Sequence, residues 1–230
     1  MEPMRGRFRD DFPYPVAHPY ALIFDSALSA VERRWALCFT QYQALRMLVL
    51  TLVSQYLREP INEGAKESVR VVNERIAALR SPMFSDWITA IRTLPRQWAN
   101  LNLQPTFPGL LDGLKMLSVA RERSVAKSGQ KNLDPLEAIL ALRNETAHGG
   151  IPKQDEAERH LAEYLPVLHQ VLEAFDFLGD CGLKVCADRE RALQGLPVRV
   201  RHLRGAELAE EVAETLTPGL EQAFADSPAA

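Results

Sequence analysis

The chain has 230 residues, of which 47% are hydrophobic and 25% charged, with a formal net charge of −3. That is enough chain to bury a core unaided, and the proportions exclude a wholly disordered protein, a polycation or a disulfide scaffold built on its three cysteines, Cys38, Cys181 and Cys186. Unbroken apolar runs fall short of the ~18–20 residues of a membrane span, and the start, MEPMRGRFRDDFPYP, lacks the apolar core of a secretory signal. The expectation is a cytoplasmic protein in a reducing compartment, with no membrane association.

Pro3, Pro13, Pro15 and Pro19 predict that residues 1–25 form an extended arm, held to the body by Phe12, Tyr14 and Tyr20. From Ser26 to Glu59 one long helix is predicted. Leu28, Val31, Trp35, Cys38, Tyr42, Leu45, Val49, Leu52 and Tyr56 recur three and four apart along it. Met47, Leu48 and Leu50 make the stretch from Leu45 to Val53 apolar on nearly every side, as for a helix buried in a bundle or shared with a second copy. A helix over Asn62–Arg80 follows, with Val69, Val72, Ile76 and Leu79 on one face, then a short one capped at Ser85-Asp86 and stopped by Pro95.

Beyond the turn at Pro105 and Pro108 a helix is predicted over 109–126, with Ser128-Gly129-Gln130 as loop. Asp134-Pro135 places a cap and a first-turn proline where a helix starts, and Gly149-Gly150 with Pro152 stops that helix after His148. The next helix runs from Asp155 to Leu178 on a stripe of Leu161, Leu165, Leu168, Leu172 and Phe175, with Pro166 inside it. Residues 183–186 and 198–203 alternate like short strands. A short amphipathic helix over Ala206–Leu216 and a polar tail complete the chain. The fold expected is all-α, a bundle of about five or six helices over 26–178, with a small β-hairpin appendage, short helix and tail over 179–230.

One group of residues carries chemistry. Arg143, Asn144 and His148 stand at the end of the helix that Asp134 starts, directly before Gly149-Gly150. Asn144 and His148, four apart, share a helix face, whereas Arg143 and His148, five apart, lie roughly 140° around the axis. They meet on one phosphate if the helix unwinds at the glycines, if the arginine reaches round, or if two copies combine their groups. An imidazole of near-neutral pKa can take a proton from a ribose 2′-hydroxyl or give one to a leaving 5′-oxygen, and a guanidinium can hold the phosphate between them. The same residues can also simply cap the last carbonyls of the helix.

This RNxxxH pattern at a helix end, within long flanking helices over roughly 22–178, resembles the HEPN superfamily. The resemblance implies a helical bundle that pairs as a homodimer, with two motifs facing each other across a composite cleft. It further implies a metal-independent endoribonuclease of a toxin or antiviral defence system, without a cofactor, held by an antitoxin or partner protein. Arg143 would be the motif arginine, Asn144 the polar residue after it and His148 the catalytic histidine. Gly149-Gly150-Ile151 stands where several toxin members carry a tyrosine. The alternative that the family offers is a non-catalytic module of a larger protein, which dimerises or senses a nucleotide or RNA.

Charge is distributed unevenly: residues 1–150 hold 19 Lys/Arg against 15 Asp/Glu, residues 151–230 hold 8 against 15. A polyanion such as RNA should therefore meet the first part. There Lys115, Arg121, Arg123, Lys127 and Lys131 precede the motif with only Glu122 against them, an RNA-binding candidate that can equally be a solvated face. Cys181 and Cys186 lack a second ligand pair, and His18, His160, His169 and His202 lack companions at metal-ligand spacing, so no metal site is expected.

Overall fold

The computed structural model describes residues 2–58, 65–105, 107, 109–118, 134–181, 183–186, 198–207 and 211–214. The chain is mostly helical, with a small antiparallel sheet near the C-terminal end. In chain order the helices are α1 (Glu2–Asp10), α2 (Tyr14–Leu22), α3 (Ala30–Tyr56), α4 (Lys66–Ala78), α5 (Phe84–Leu101), α6 (110–118), α7 (Pro135–Gly149) and α8 (Gln154–Ala174). A 3-10 turn over Asp176–Asp180 leads to the strands β1 (Lys184–Cys186), β2 (Val198–His202) and β3 (Glu211–Glu214).

α3 is the axle of the bundle. Its start is fixed by a capping box: the Ser29 hydroxyl accepts from the Glu32 amide, while Glu32 accepts from the Ser29 amide at 2.8 Å. α2, α5, α7 and α8 pack around it. Cys38, Leu45, Val49, Leu52 and Tyr56 of the predicted stripe are buried, but Trp35 is 43% exposed. Nor is the Leu45–Val53 stretch buried all round, because Leu50 is 46% exposed. By length and composition alone α3 could cross a membrane; here it is the core helix, with one face open.

The expected extended arm is corrected. Glu2–Asp10 and Tyr14–Leu22 form α1 and α2, ahead of the span 26–178, whose described residues hold the six helices α3 to α8, within the number expected. Prolines there do not act as breakers: Pro13 caps α2 and Pro15 lies in its first turn, where no amide partner is lost. Burial does the rest. Phe8, Phe12 and Tyr20 are at most 1% exposed and meet edge to face, with ring centroids 5.1 Å (Phe8–Phe12) and 5.6 Å (Phe8–Tyr20) apart. Even Pro19 is held inside α2 by that packing.

α5 also corrects the expectation, since it runs through Pro95 instead of ending there. Ile91, Leu94, Trp98 and Leu101 lie on one buried face that spans the proline, and their burial outweighs the lost hydrogen bond. The turn after α5 uses Asn102 at φ 56, a left-handed position that asparagine tolerates. α8 continues through Pro166 with Leu168, Val171 and Leu172 buried.

The strand register pairs Val185 with Arg201 and Val200 with Val212. The third strand replaces the predicted short helix: β1 pairs with one side of β2 and leaves its other edge open, and Glu211–Glu214 completes it. This sheet is tied to the N-terminal segment. Tyr14 donates its amide to the Leu203 carbonyl at 2.9 Å, Gly205 to that of Phe12 at 2.8 Å, and Arg204 pairs with Asp11. Arg7 likewise bonds Asp176 at 2.5 Å, holding α1 against the turn after α8.

Candidate functional site

α7 carries the motif, and its sequence fixes both ends. Asp134, 6% exposed, accepts from the Leu136 amide at 2.9 Å as the N-cap, with Pro135 in the first turn. Arg92 of α5 pairs with Asp134 at 3.0 Å and with Glu137 at 2.7 Å, and Gln41 of α3 donates to the Leu136 carbonyl at 2.9 Å. At the other end Gly150 adopts φ 89, a conformation that stops the helix and suits glycine alone.

Arg143 and Asn144 lie half-buried on the C-terminal half of α7. The Arg143 guanidinium donates through Nη1 to Asn144 Oδ1 at 3.1 Å, so the amide orients the arginine. His148 stands in the last turn by its backbone, and its side chain lies outside the described residues. Of the basic candidates, Lys115 is exposed on α6 and paired with Asp112 at 3.2 Å. Arg121, Arg123, Lys127 and Lys131 lie outside the described residues.

A buried polar group supports this end of α7. Arg34 of α3 is 1% exposed, donates through Nη2 to the Leu142 carbonyl at 2.6 Å and through Nε to His160 Nδ1 at 3.1 Å. Since a guanidinium cannot accept, His160 must present a bare Nδ1 and carry its ring proton on Nε2. Its ring meets Tyr164 edge-on with centroids 6.2 Å apart. Arg34 thereby clamps the residue directly before Arg143 onto α3 and α8.

The charge of Arg143 reaches Cys38, though burial dominates there and pushes that thiol up to about 12. Burial also raises the Tyr164 hydroxyl, with the nearby carboxylates of Glu163 and Glu145 adding to it. Neither is a ready nucleophile or base at neutral pH. His160 is a packed imidazole, 8% exposed; the role of Arg34 has no local signal in the sequence, because its partners are 108 and 126 residues away.

The other histidines are engaged elsewhere. His18 Nδ1 lies 3.1 Å from the Ala206 carbonyl and His169 Nε2 lies 2.9 Å from the Tyr20 hydroxyl. Among the described residues no three His, Cys, Asp or Glu side chains come together as metal ligands. In comparisons with protein-family models, curated proteins and solved structures, the chain matched none.

Proposed function

We propose that the chain is a HEPN-type, metal-independent endoribonuclease, in which paired motifs of two copies cleave RNA. The observation that carries this reading is the end of α7: a half-buried arginine oriented by its asparagine neighbour, in the turn before the one that bears His148. In the proposed reaction an RNA 2′-oxygen attacks the adjacent phosphorus, the bond to the 5′-oxygen breaks, and a 2′,3′-cyclic phosphate and a 5′-hydroxyl remain. His148 of one copy takes the 2′-hydroxyl proton, and that of the second gives a proton to the departing oxygen. Arg143 neutralises the charge that grows on the phosphate. Arg34 acts through the backbone, by holding the turn from which Arg143 projects.

The test is cleavage of a labelled structured RNA in EDTA by the wild type, His148→Ala and Arg143→Ala. Cleavage by the wild type alone, leaving cyclic phosphate ends, is the expected result. Salt-sensitive RNA binding without cleavage, weakened by either substitution, would favour the sensing module instead. Neither cleavage nor binding would overturn both.

A further inference from the structure

The open face of α3 has its own pattern. Trp35 is 43% exposed, Phe39 48% and Leu50 46%, an unusual display of large apolar side chains on the central helix of a bundle. Phe39 stacks on Tyr42 at 6.0 Å between ring centroids, and Tyr42 in turn meets Phe84 and Trp87 of α5 edge-on. Met83, 69% exposed, sits beside Phe84 at the start of α5. The aromatic patch therefore rests on a rigid base.

At about 100° per residue, Glu32, Trp35, Phe39, Gln43 and Arg46 fall within roughly 80° of arc, centred on Phe39. Arg34, which bonds α7, lies about 140° from Phe39, so this face is turned away from α7 and its motif. We propose that this face of α3 binds the same face of a second copy, antiparallel, about a two-fold axis through Phe39. The proposal does not rest on ribonuclease activity, and the interface is separate from a cleft formed by paired motifs.

Charge complementarity selects the occupant. A two-fold axis at residue 39 sets Glu32 opposite Arg46 of the second copy, and Arg46 opposite its Glu32. It also sets Trp35 opposite Gln43 and Phe39 on Phe39. Glu32 and Arg46 are both exposed, and Arg46 has no ion pair among the described residues. Glu32 uses Oε2 for both of its bonds to Ser29, which leaves Oε1 to take a guanidinium donor. A surface with apolar centre and oppositely charged ends fourteen residues of helix apart, about 21 Å, suits its own copy reversed end to end. A single helix seam is at the low end of interface sizes, so the dimer should dissociate on the order of micromolar.

Sedimentation velocity over a concentration series tests this. The expected result is reversible self-association, to a dimer through this face alone or to larger assemblies where the motifs also pair, of the wild type and of Leu111→Glu, whose exposed apolar residue is on α6. Phe39→Glu sets two carboxylates on the axis and should weaken association about 100-fold or more. Arg46→Glu should weaken it less, and adding Glu32→Lys to Arg46→Glu should restore it. Because Arg46 is exposed, that pair keeps the test open if Phe39→Glu perturbs the fold, which circular dichroism checks. A wild type that stays monomeric would overturn the proposal, and so would a dimer indifferent to Phe39→Glu and Arg46→Glu. Monomers that bind phosphatidylcholine vesicles through Phe39 would also overturn it, assigning the face to lipid.

Discussion

Replacing Arg34 by methionine should cost about 2 kcal/mol of stability. The arginine is 1% exposed, and its acceptors include the Leu142 carbonyl and His160 Nδ1. Methionine fills the space of the aliphatic stem, so little cavity is created. The main loss is His160 Nδ1, a buried acceptor left without a donor, which costs about 1–3 kcal/mol. The Leu142 carbonyl keeps a place in the helix ladder and adds less. For a domain of this size each kcal/mol moves Tm by roughly 2–4 °C, giving a fall of about 4–8 °C. His160→Leu should cost a similar amount, since it takes one acceptor from a buried guanidinium. Joining both removes donor and acceptor together, so the double variant should be about 1–2 kcal/mol more stable than the two single losses predict. Urea denaturation of the four proteins measures this coupling. Losses that add to within about 0.5 kcal/mol would refute the reasoning, for they would mean that Arg34 and His160 do not act as a pair.

Two further outcomes follow from other parts of the fold. At Gly113 of α6 an added Cβ would lie 1.9 Å from the Ala174 carbonyl oxygen, a backbone atom that cannot move aside cheaply. Gly113→Ala should therefore destabilise by about 1–3 kcal/mol, read as a lower Tm, and an unchanged Tm would show that α6 does not pack on the end of α8. His169 has its pKa lowered from 6.5, chiefly by burial and then by the positive charges of Arg5 and the chain's amino terminus. The unfolded chain thus binds a proton near pH 6.5 that the folded chain resists, so stability falls as the pH drops below about 6.5 towards the lower folded value. A protonated ring can only donate from Nε2 to the Tyr20 oxygen, 2.9 Å away. His169→Gln should flatten the decline of Tm between about pH 7 and 5, and an unaltered slope would exclude His169 as its source.

Local chemistry made much of the bundle legible. Asp134-Pro135 and Gly150 mark both ends of α7 because a cap, a first-turn proline and a left-handed glycine act within a few residues of themselves. The alternation in 183–186 and 198–203 foretold β1 and β2 for the same reason. The candidate site was legible as residue types at a helix end, and no further: spacing placed Asn144 and His148 on one face but could not bring Arg143 to them.

Where the reading went astray, long-range burial had overridden a local signal. Pro13, Pro15, Pro19 and Pro95 looked like breaks until Phe8, Phe12, Tyr20 and Trp98 found their places in the core. The segment ending at Glu214 has a helical period in isolation and becomes a strand beside the open edge of β2. Two features on α3 depended wholly on tertiary structure. Which of its apolar residues face solvent was settled by α2, α5, α7 and α8, which pack on α3 and leave Trp35, Phe39 and Leu50 outside. Arg34 reads in the sequence as one more cation on a helix. Only the packing of α7 and α8 against it makes it the buried clamp beneath the motif, because hydrogen bonds across more than a hundred residues have no local period to reveal them.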